Sequence, residues 1–196
     1  MIALIDYDAG NTCSVTNALD RLKADYVLTD DIGIIQGADK VVFPGVGHAG
    51  AAMRALERKG LVPVIKELKQ PVLGICVGMQ LLAKKSEEGD TQCLGIIDTE
   101  VKRFEPSSSL KVPHMGWNQI QAEKQSWLFE NLSSQEYFYF VHSYYMDLNS
   151  YTIATCNFGK HFTAAVQKDN FWGIQFHAEK SGSVGSDLLK NFITRT

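Results

Sequence analysis

The chain has 196 residues, of which 45% are hydrophobic, 10% aromatic and 21% charged. That length and apolar content suit one domain with a substantial core and exclude a disordered chain. Nineteen basic against 22 acidic residues leave a formal net charge of −3, without the basic footprint of a nucleic-acid binder. Apolar runs such as 41–46 and 71–77 fall well short of the ~20 residues that a membrane-spanning helix needs. The first eight residues hold no basic segment and meet Asp6 and Asp8 at once, so no secretory leader is expected. Four cysteines without a Cys-x-x-Cys pair argue against a disulfide scaffold and a structural zinc site. The expectation is one domain over residues 1–196 in the reducing cytoplasm, with no membrane, nucleic acid or metal.

Ile2 to Ile5 reads as a buried strand ending at Asp6 and a loop around Gly10. Asn11 or Thr12 caps a helix in which Val15, Ala18, Leu19 and Leu22 recur at helical spacing. Tyr26 to Thr29 and Lys40 to Phe43 read as the next strands, the latter closed by Pro44. Helical segments are predicted from about Ala49 to Arg58 and from Val64 to Leu68. A strand at Val72 to Ile75 runs directly into a helical pattern over Val77 to Lys85. Apolar strands alternating with helices point to a parallel sheet covered on both faces. The second half reads differently, with strands predicted at 94–104, 117–122, 137–146, 151–157, 163–168 and 171–176. Lys168-Asp169-Asn170 is a hairpin signal, and a helix from about Val184 to Ile193 closes the chain. The fold class is therefore α/β, a mainly parallel open sheet flanked by helices with an antiparallel extension.

The most informative segment is Gly74-Ile75-Cys76-Val77-Gly78, where an apolar strand stops and a helix begins. A nucleophile flanked at two residues on each side by glycine is the pattern of a nucleophile elbow, here with Cys for Ser. The glycines are needed because side chains in so tight a turn collide with neighbouring elements. A helix N-terminus offers dipole and free N–H groups that favour a thiolate and can steady an oxyanion. A buried structural cysteine in a strand–helix turn has the same local look. The second element is His177-Ala178-Glu179, at the end of a strand-like run. A spacing of two puts both side chains on one face, as a base and its orienting carboxylate require. Alone, it equally describes a surface His beside a solvated Glu; joined to the elbow, it completes a nucleophile–base–carboxylate set.

Phe43-Pro44-Gly45-Val46-Gly47 follows another apolar strand. Beside the elbow it could complete an oxyanion hole with the N–H of Val77, although an ordinary glycine turn before a helix reads the same way. Val112 to Asn118 is dense in His, Trp and Asn and suits an interface or a binding mouth, with a packed Trp as the plainer account. The aromatic run 137–145 reads as a core strand, ending in His142-Ser143-Tyr144 as candidate polar contacts. Asp6 to Asn11 lies at the carboxyl edge where open α/β sheets bind ligands and partners. His48 and His161 have no evident partners, and Cys13, Cys93 and Cys156 read as structural.

The elbow within 71–80, the Pro-Gly-Val-Gly loop at 44–47 and the closing His-Ala-Glu resemble class I, triad-type glutamine amidotransferases. Within that class, 113–118, 139–144 and 162–167 are similar to the glutaminase subunits of imidazole glycerol phosphate synthase, and the likeness runs from Ile5 to Phe192. The resemblance implies a flavodoxin-like arrangement and a cofactor-free hydrolysis of glutamine to glutamate and ammonia. Cys76 would attack the substrate amide, His177 would move the protons and Glu179 would orient His177. Val46 and Val77 would form the oxyanion hole, and Gly45, Gly47, Gln80, His142, Ser143 and Tyr144 would hold glutamine. In the family, ammonia passes into a (β/α)₈ cyclase subunit that makes imidazole glycerol phosphate and aminoimidazole carboxamide ribotide in histidine biosynthesis. Asn11, Trp117, Asn118, Tyr137 and Lys180 correspond to the interface with that cyclase in the heterodimer. The resemblance also implies a Val46 N–H that turns to the site once the partner holds its nucleotide ligand. One departure is Ala178, where the family usually has Pro, a change that removes a φ restraint between base and carboxylate. Competing readings are the same glutaminase feeding another acceptor, such as a sugar-modifying amidotransferase, a catalytically silent regulatory subunit, and an esterase or protease.

Overall fold

The computed structural model describes residues 1–8, 12–108, 110–122 and 126–195. Its first half alternates β1 (Ile2–Ile5), α1 (Thr12–Arg21), β2 (Tyr26–Thr29), α2 (Ile32–Gly37) and β3 (Lys40–Gly45). There follow α3 (Ala49–Arg58), α4 (Leu61–Glu67), β4 (Val72–Cys76) and α5 (Val77–Gln80). The second half holds β5 (Lys85–Ser86), β6 (Thr91–Gln92), β7 (Glu100–Arg103), β8 (His114–Ala122), β9 (Tyr137–His142) and β10 (Tyr144–Met146). It ends with β11 (Thr152–Asn157), β12 (His161–Lys168), β13 (Phe171–Ile174) and α6 (Gly182–Thr194).

Strands β2-β1-β3-β4-β13 lie side by side and parallel. Every residue of β1, β3, β4 and β13 is buried, as expected for strands covered on both faces. The hairpin at Asp169-Asn170 turns β13 antiparallel onto β12, and Asp169 takes the left-handed φ of 51° that the turn needs. From β12 an antiparallel extension runs through β10 and β7 on one branch, and through β11, β8 and β9 on the other. No helix among the described residues is long and apolar enough to cross a membrane.

Three expectations need correction. The helix expected over 77–85 ends at Gln80, because the next carbonyls are taken from outside: Leu81 O, Leu82 O and Ala83 O accept from Leu94, Ile97 and Gly95 N–H groups. That same stitching keeps 94–99 irregular, so only Glu100–Arg103 of the expected strand at 94–104 forms. The aromatic run 137–146 is broken at Ser143 into β9 and β10. Helix α2, which hydrophobic spacing did not announce, starts at a cap where the Asp31 carboxylate accepts from Ile34 N (2.9 Å). The proposed Asn11 cap lies outside the described residues.

Candidate active site

Strand register brings the candidate site together. In the parallel run β3-β4-β13, Gly45 pairs with Cys76, and Ile75 pairs with Ile174. The carboxyl ends of the three strands therefore deliver the 44–47 loop, the elbow and the 175–179 turn to one edge of the sheet, where open α/β sheets place their sites. Cys76 holds φ 54° and ψ −109°, a strained conformation for a non-glycine residue of the kind that clusters at functional sites. The flanking glycines allow it: a Cβ on Gly78 would stand 2.0 Å from Phe43 O, and one on Gly74 would stand 2.8 Å from Gly78 O. Gly47 sits at φ 88°, and Tyr7 donates its hydroxyl proton to Pro44 O (2.7 Å), pinning the base of that loop.

His177 and Glu179 meet within the turn that follows β13. The imidazole Nδ1–H donates to Glu179 Oε1 at 2.7 Å, and both side chains are buried. Ala178 in place of Pro leaves that bond intact. The turn is held by three further bonds: His177 N–H to Tyr139 O, Ser181 hydroxyl to His177 O, and Tyr139 N–H to Ser181 Oγ. His177 Nε2 is buried and has no hydrogen bond of ordinary length and angle, yet it lies close enough to Cys76 for their charges to couple. Burial opposes protonation of His177, but Cys76 and the Glu179 carboxylate outweigh it and raise the imidazole above its usual range. By contrast, burial pushes the Cys93 thiol up to about 11 and Cys156 up to about 12, as befits unreactive cysteines.

A cavity of about 490 Å³ opens over Cys76 and is lined by Val46, Gly47, Val77, Gln80, His142, Ser143, Tyr144, His177 and Lys180, all singled out from the sequence. Gly45 lies beneath it, buried against the elbow. Glu179 stands behind His177 and bounds a separate, much smaller void. The sequence reading missed Glu88, the only carboxylate lining the cavity among the described residues. It is anchored where its Oε2 accepts from Ala49 N (2.7 Å), at the start of α3. His48, which had no assigned role, caps that helix through Nδ1.

A chain of hydrogen bonds lies beneath the site. Gln80 Nε2 donates to Tyr144 O and to Gln175 Oε1, both at 2.9 Å, and Gln175 Nε2 reaches Cys76 Sγ at 3.7 Å. Tyr144 O also accepts from His142 Nδ1 (2.7 Å), and His142 Nε2 lies 2.9 Å from His114 Nδ1. His114 Nε2 is 3.1 Å from the Asn118 amide, which also donates to Asn157 O. Burial holds His114 down to about 4 and His142 down to about 3, so both are neutral and the tautomers follow from the carbonyl at the chain's end.

Trp117, Asn118 and Tyr137 sit on the antiparallel extension, whereas Lys180 lies in the turn that follows β13. Trp117 and Tyr137 lie on the outer face of β8 and β9, 56% and 54% exposed, with Met115 beside them at 64%. Asn118 turns its amide inward to His114, and Lys180 is exposed at the cavity mouth. Asn11 lies outside the described residues.

The family described as "Glutamine amidotransferase class-I" matches residues 3–196. The "Imidazole glycerol phosphate synthase subunit HisH" of Bacteroides fragilis is 51% identical over 193 residues, covering 98% of each chain. The subunit of the same name from Yersinia pseudotuberculosis is 49% identical over 193 residues, again covering 98% of each. Two solved structures share the fold at low identity. One, titled as a glutamine amidotransferase, has a TM-score of 0.73 at 16% identity, covering 97% of this chain and 98% of that one. A glutamine amidotransferase from Thermotoga maritima has a TM-score of 0.65 at 19% identity, covering 98% and 80%. The chain belongs to the class-I glutamine amidotransferase family and, within it, groups with the HisH subunits of imidazole glycerol phosphate synthase.

Proposed function

We propose that the chain is the cytoplasmic glutaminase subunit of a two-subunit synthase and works through a Cys76–His177–Glu179 triad. The supporting observation is one site in which a strained cysteine, a histidine bonded to a buried carboxylate and a glycine loop meet at one sheet edge beneath a cavity. In this reading His177 Nε2 takes the thiol proton and Cys76 Sγ attacks the side-chain amide carbon of glutamine. The S–C bond forms, and the N–H groups of Val46 and Val77 receive the oxyanion. His177 then delivers a proton to the nitrogen, the C–N bond breaks and ammonia leaves a γ-glutamyl thioester. His177 next takes a proton from water, whose oxygen attacks the thioester carbon; the C–S bond breaks, glutamate leaves and His177 returns the proton to Cys76 Sγ. Glu179 keeps Nδ1 protonated throughout, so that Nε2 does the exchange.

Glu88 supplies the negative charge suited to the substrate's α-ammonium group, while Gly45, Gly47, Gln80, His142, Ser143 and Tyr144 shape the pocket around the rest. The exposed aromatic face of Trp117 and Tyr137, with Lys180 at the cavity mouth, suits docking of a cyclase subunit that receives the ammonia. Asn11 and Asn118 belong to the same proposed interface. The near full-length match to HisH subunits supports this acceptor over a sugar-modifying one.

The test is glutamate release from glutamine by the chain alone, and then with the cyclase subunit and its nucleotide ligand. The expected result is a low basal rate that rises steeply in the full mixture and disappears in Cys76→Ala. Glutamine-dependent product formation that survives Cys76→Ala would instead make the chain a silent regulatory subunit.

A further inference from the structure

Gln175 is fully buried and lies outside the cavity lining, so the substrate does not reach it. Its side chain nevertheless ends at the nucleophile, with Nε2 3.7 Å from Cys76 Sγ. The orientation of that amide is fixed by its neighbours. Tyr144 O can only accept, so the Gln80 group facing it at 2.9 Å is the NH₂. The second Gln80 proton then points at Gln175, whose facing atom must be the carbonyl Oε1. This leaves the Gln175 NH₂ toward the sulfur. Val141 O, at 4.0 Å, can accept from the protonated thiol, whereas an N–H donor serves the negative sulfur. Register explains the placement: Ile174 pairs with Ile75, so the next residues along the two strands, Gln175 and Cys76, stand at the same level.

We propose that Gln175 is a positioning residue that aims one amide proton at Cys76 Sγ and, held by Gln80 and the Tyr144 carbonyl, stabilises the attacking thiolate. The inference rests on the glutaminase reading and adds to it a donor outside the triad. It also ties the nucleophile to β10, where Tyr144 faces the substrate cavity.

The experiment is the pH dependence of Cys76 alkylation by iodoacetamide in the intact chain, with the Cys76 peptide quantified apart from exposed Cys13 by mass spectrometry. Gln175→Met keeps the length and removes the donor. We expect its half-maximal pH to move up by about one unit, the scale of one hydrogen bond to a charged group. Glutamine turnover should fall about tenfold in kcat, the scale of one hydrogen bond lost to the nucleophile, while the release of Gln80 from Gln175 Oε1 adds a rise in KM. Gln175→Glu keeps both the shape and the bond from Gln80 but presents a carboxylate oxygen to the sulfur; it should shift the midpoint further and decides the matter should the methionine variant fail to fold. A midpoint that stays in place in a folded variant overturns the inference and leaves the triad untouched. Alkylation of Cys76 in the parent chain that is no easier than that of an ordinary thiol would instead undermine the glutaminase reading itself.

Discussion

Cys76 stands at a backbone angle that only its surroundings can maintain, and those surroundings are backbone. The Gly78 α-carbon crosses β3 so closely that one added methyl would meet Phe43 O at 2.0 Å. Gly78→Ala must therefore push the strand and α5 apart, and we expect a loss of about 3 kcal/mol or more in denaturant unfolding. Glu179→Gln acts on chemistry instead. The neutral amide no longer steadies the imidazolium or enforces the tautomer, so kcat should fall by roughly 10²–10⁴ while the chain stays folded. These residues were legible in the sequence from their types and spacing: two glycines around a tight turn, and a base with its carboxylate two residues on, although that pair meets in the turn after β13 and not on a strand face. Glu88 and Gln175 were not legible. Glu88 reaches the cavity through a bond to the start of α3, and Gln175 meets Cys76 through strand register 99 positions away in sequence.

At the scale of elements, the parallel strands and the two-residue hairpin were read nearly to the residue, since buried β-branched runs and turn chemistry are local signals. Elements whose ends depend on distant partners were not. The 77–85 segment has helical spacing, but loop 93–97 occupies its carbonyls, and α4 begins at Leu61, earlier than its spacing indicated. Lys40 is another case of distant control. It sits on fully buried β3, and its ammonium donates to Phe192 O and Ile193 O at 2.8 Å and also to Arg195 O. A strand lysine thus caps the carbonyls at the end of α6, where a cation is favourable. Burial lowers its pKa, but the carbonyls satisfy its protons. Lys40→Met should leave those carbonyls unpaired and cost about 1–3 kcal/mol. Loss of amide-exchange protection at the last turn of α6, with the parallel sheet still protected, is the local signature to look for.

Across the whole molecule, the parallel half carries the proposed chemistry and the antiparallel extension carries both the aromatic outer face and the buried imidazole pair. That pair sets a pH dependence. An unfolded histidine titrates near 6.5, whereas folded His114 and His142 are held down to about 4 and 3 by burial. The unfolded chain therefore binds more protons in this window. Stability is fully present above about pH 6.5 and declines as the pH falls, by up to ~1.4 kcal/mol per unit for each histidine. His177, raised in the folded state, has the opposite sign: its contribution is full below 6.5 and is lost only as pH rises. The decline between pH 6.5 and about 5, above the range where the ion-paired Asp30, Asp39, Asp98 and Asp147 lose their own contribution, accordingly belongs to the pair, and His114→Gln, which keeps a donor without titrating, should roughly halve it in urea titrations. The sequence placed His114 in a loop dense in His, Trp and Asn and His142 at the end of an aromatic strand; only β8, which starts at His114, and its register with β9, which sets the two opposite each other, show that they bond.

The central claim is that Cys76 is the nucleophile in glutamine hydrolysis. Its most direct test is acid quenching of the chain during glutamine turnover with the proposed cyclase partner, followed by peptide mass spectrometry. The account predicts a γ-glutamyl adduct on the peptide carrying Cys76, absent from Cys76→Ala. Steady glutamate release with no adduct on Cys76, or with the adduct on Cys13, Cys93 or Cys156, would contradict it.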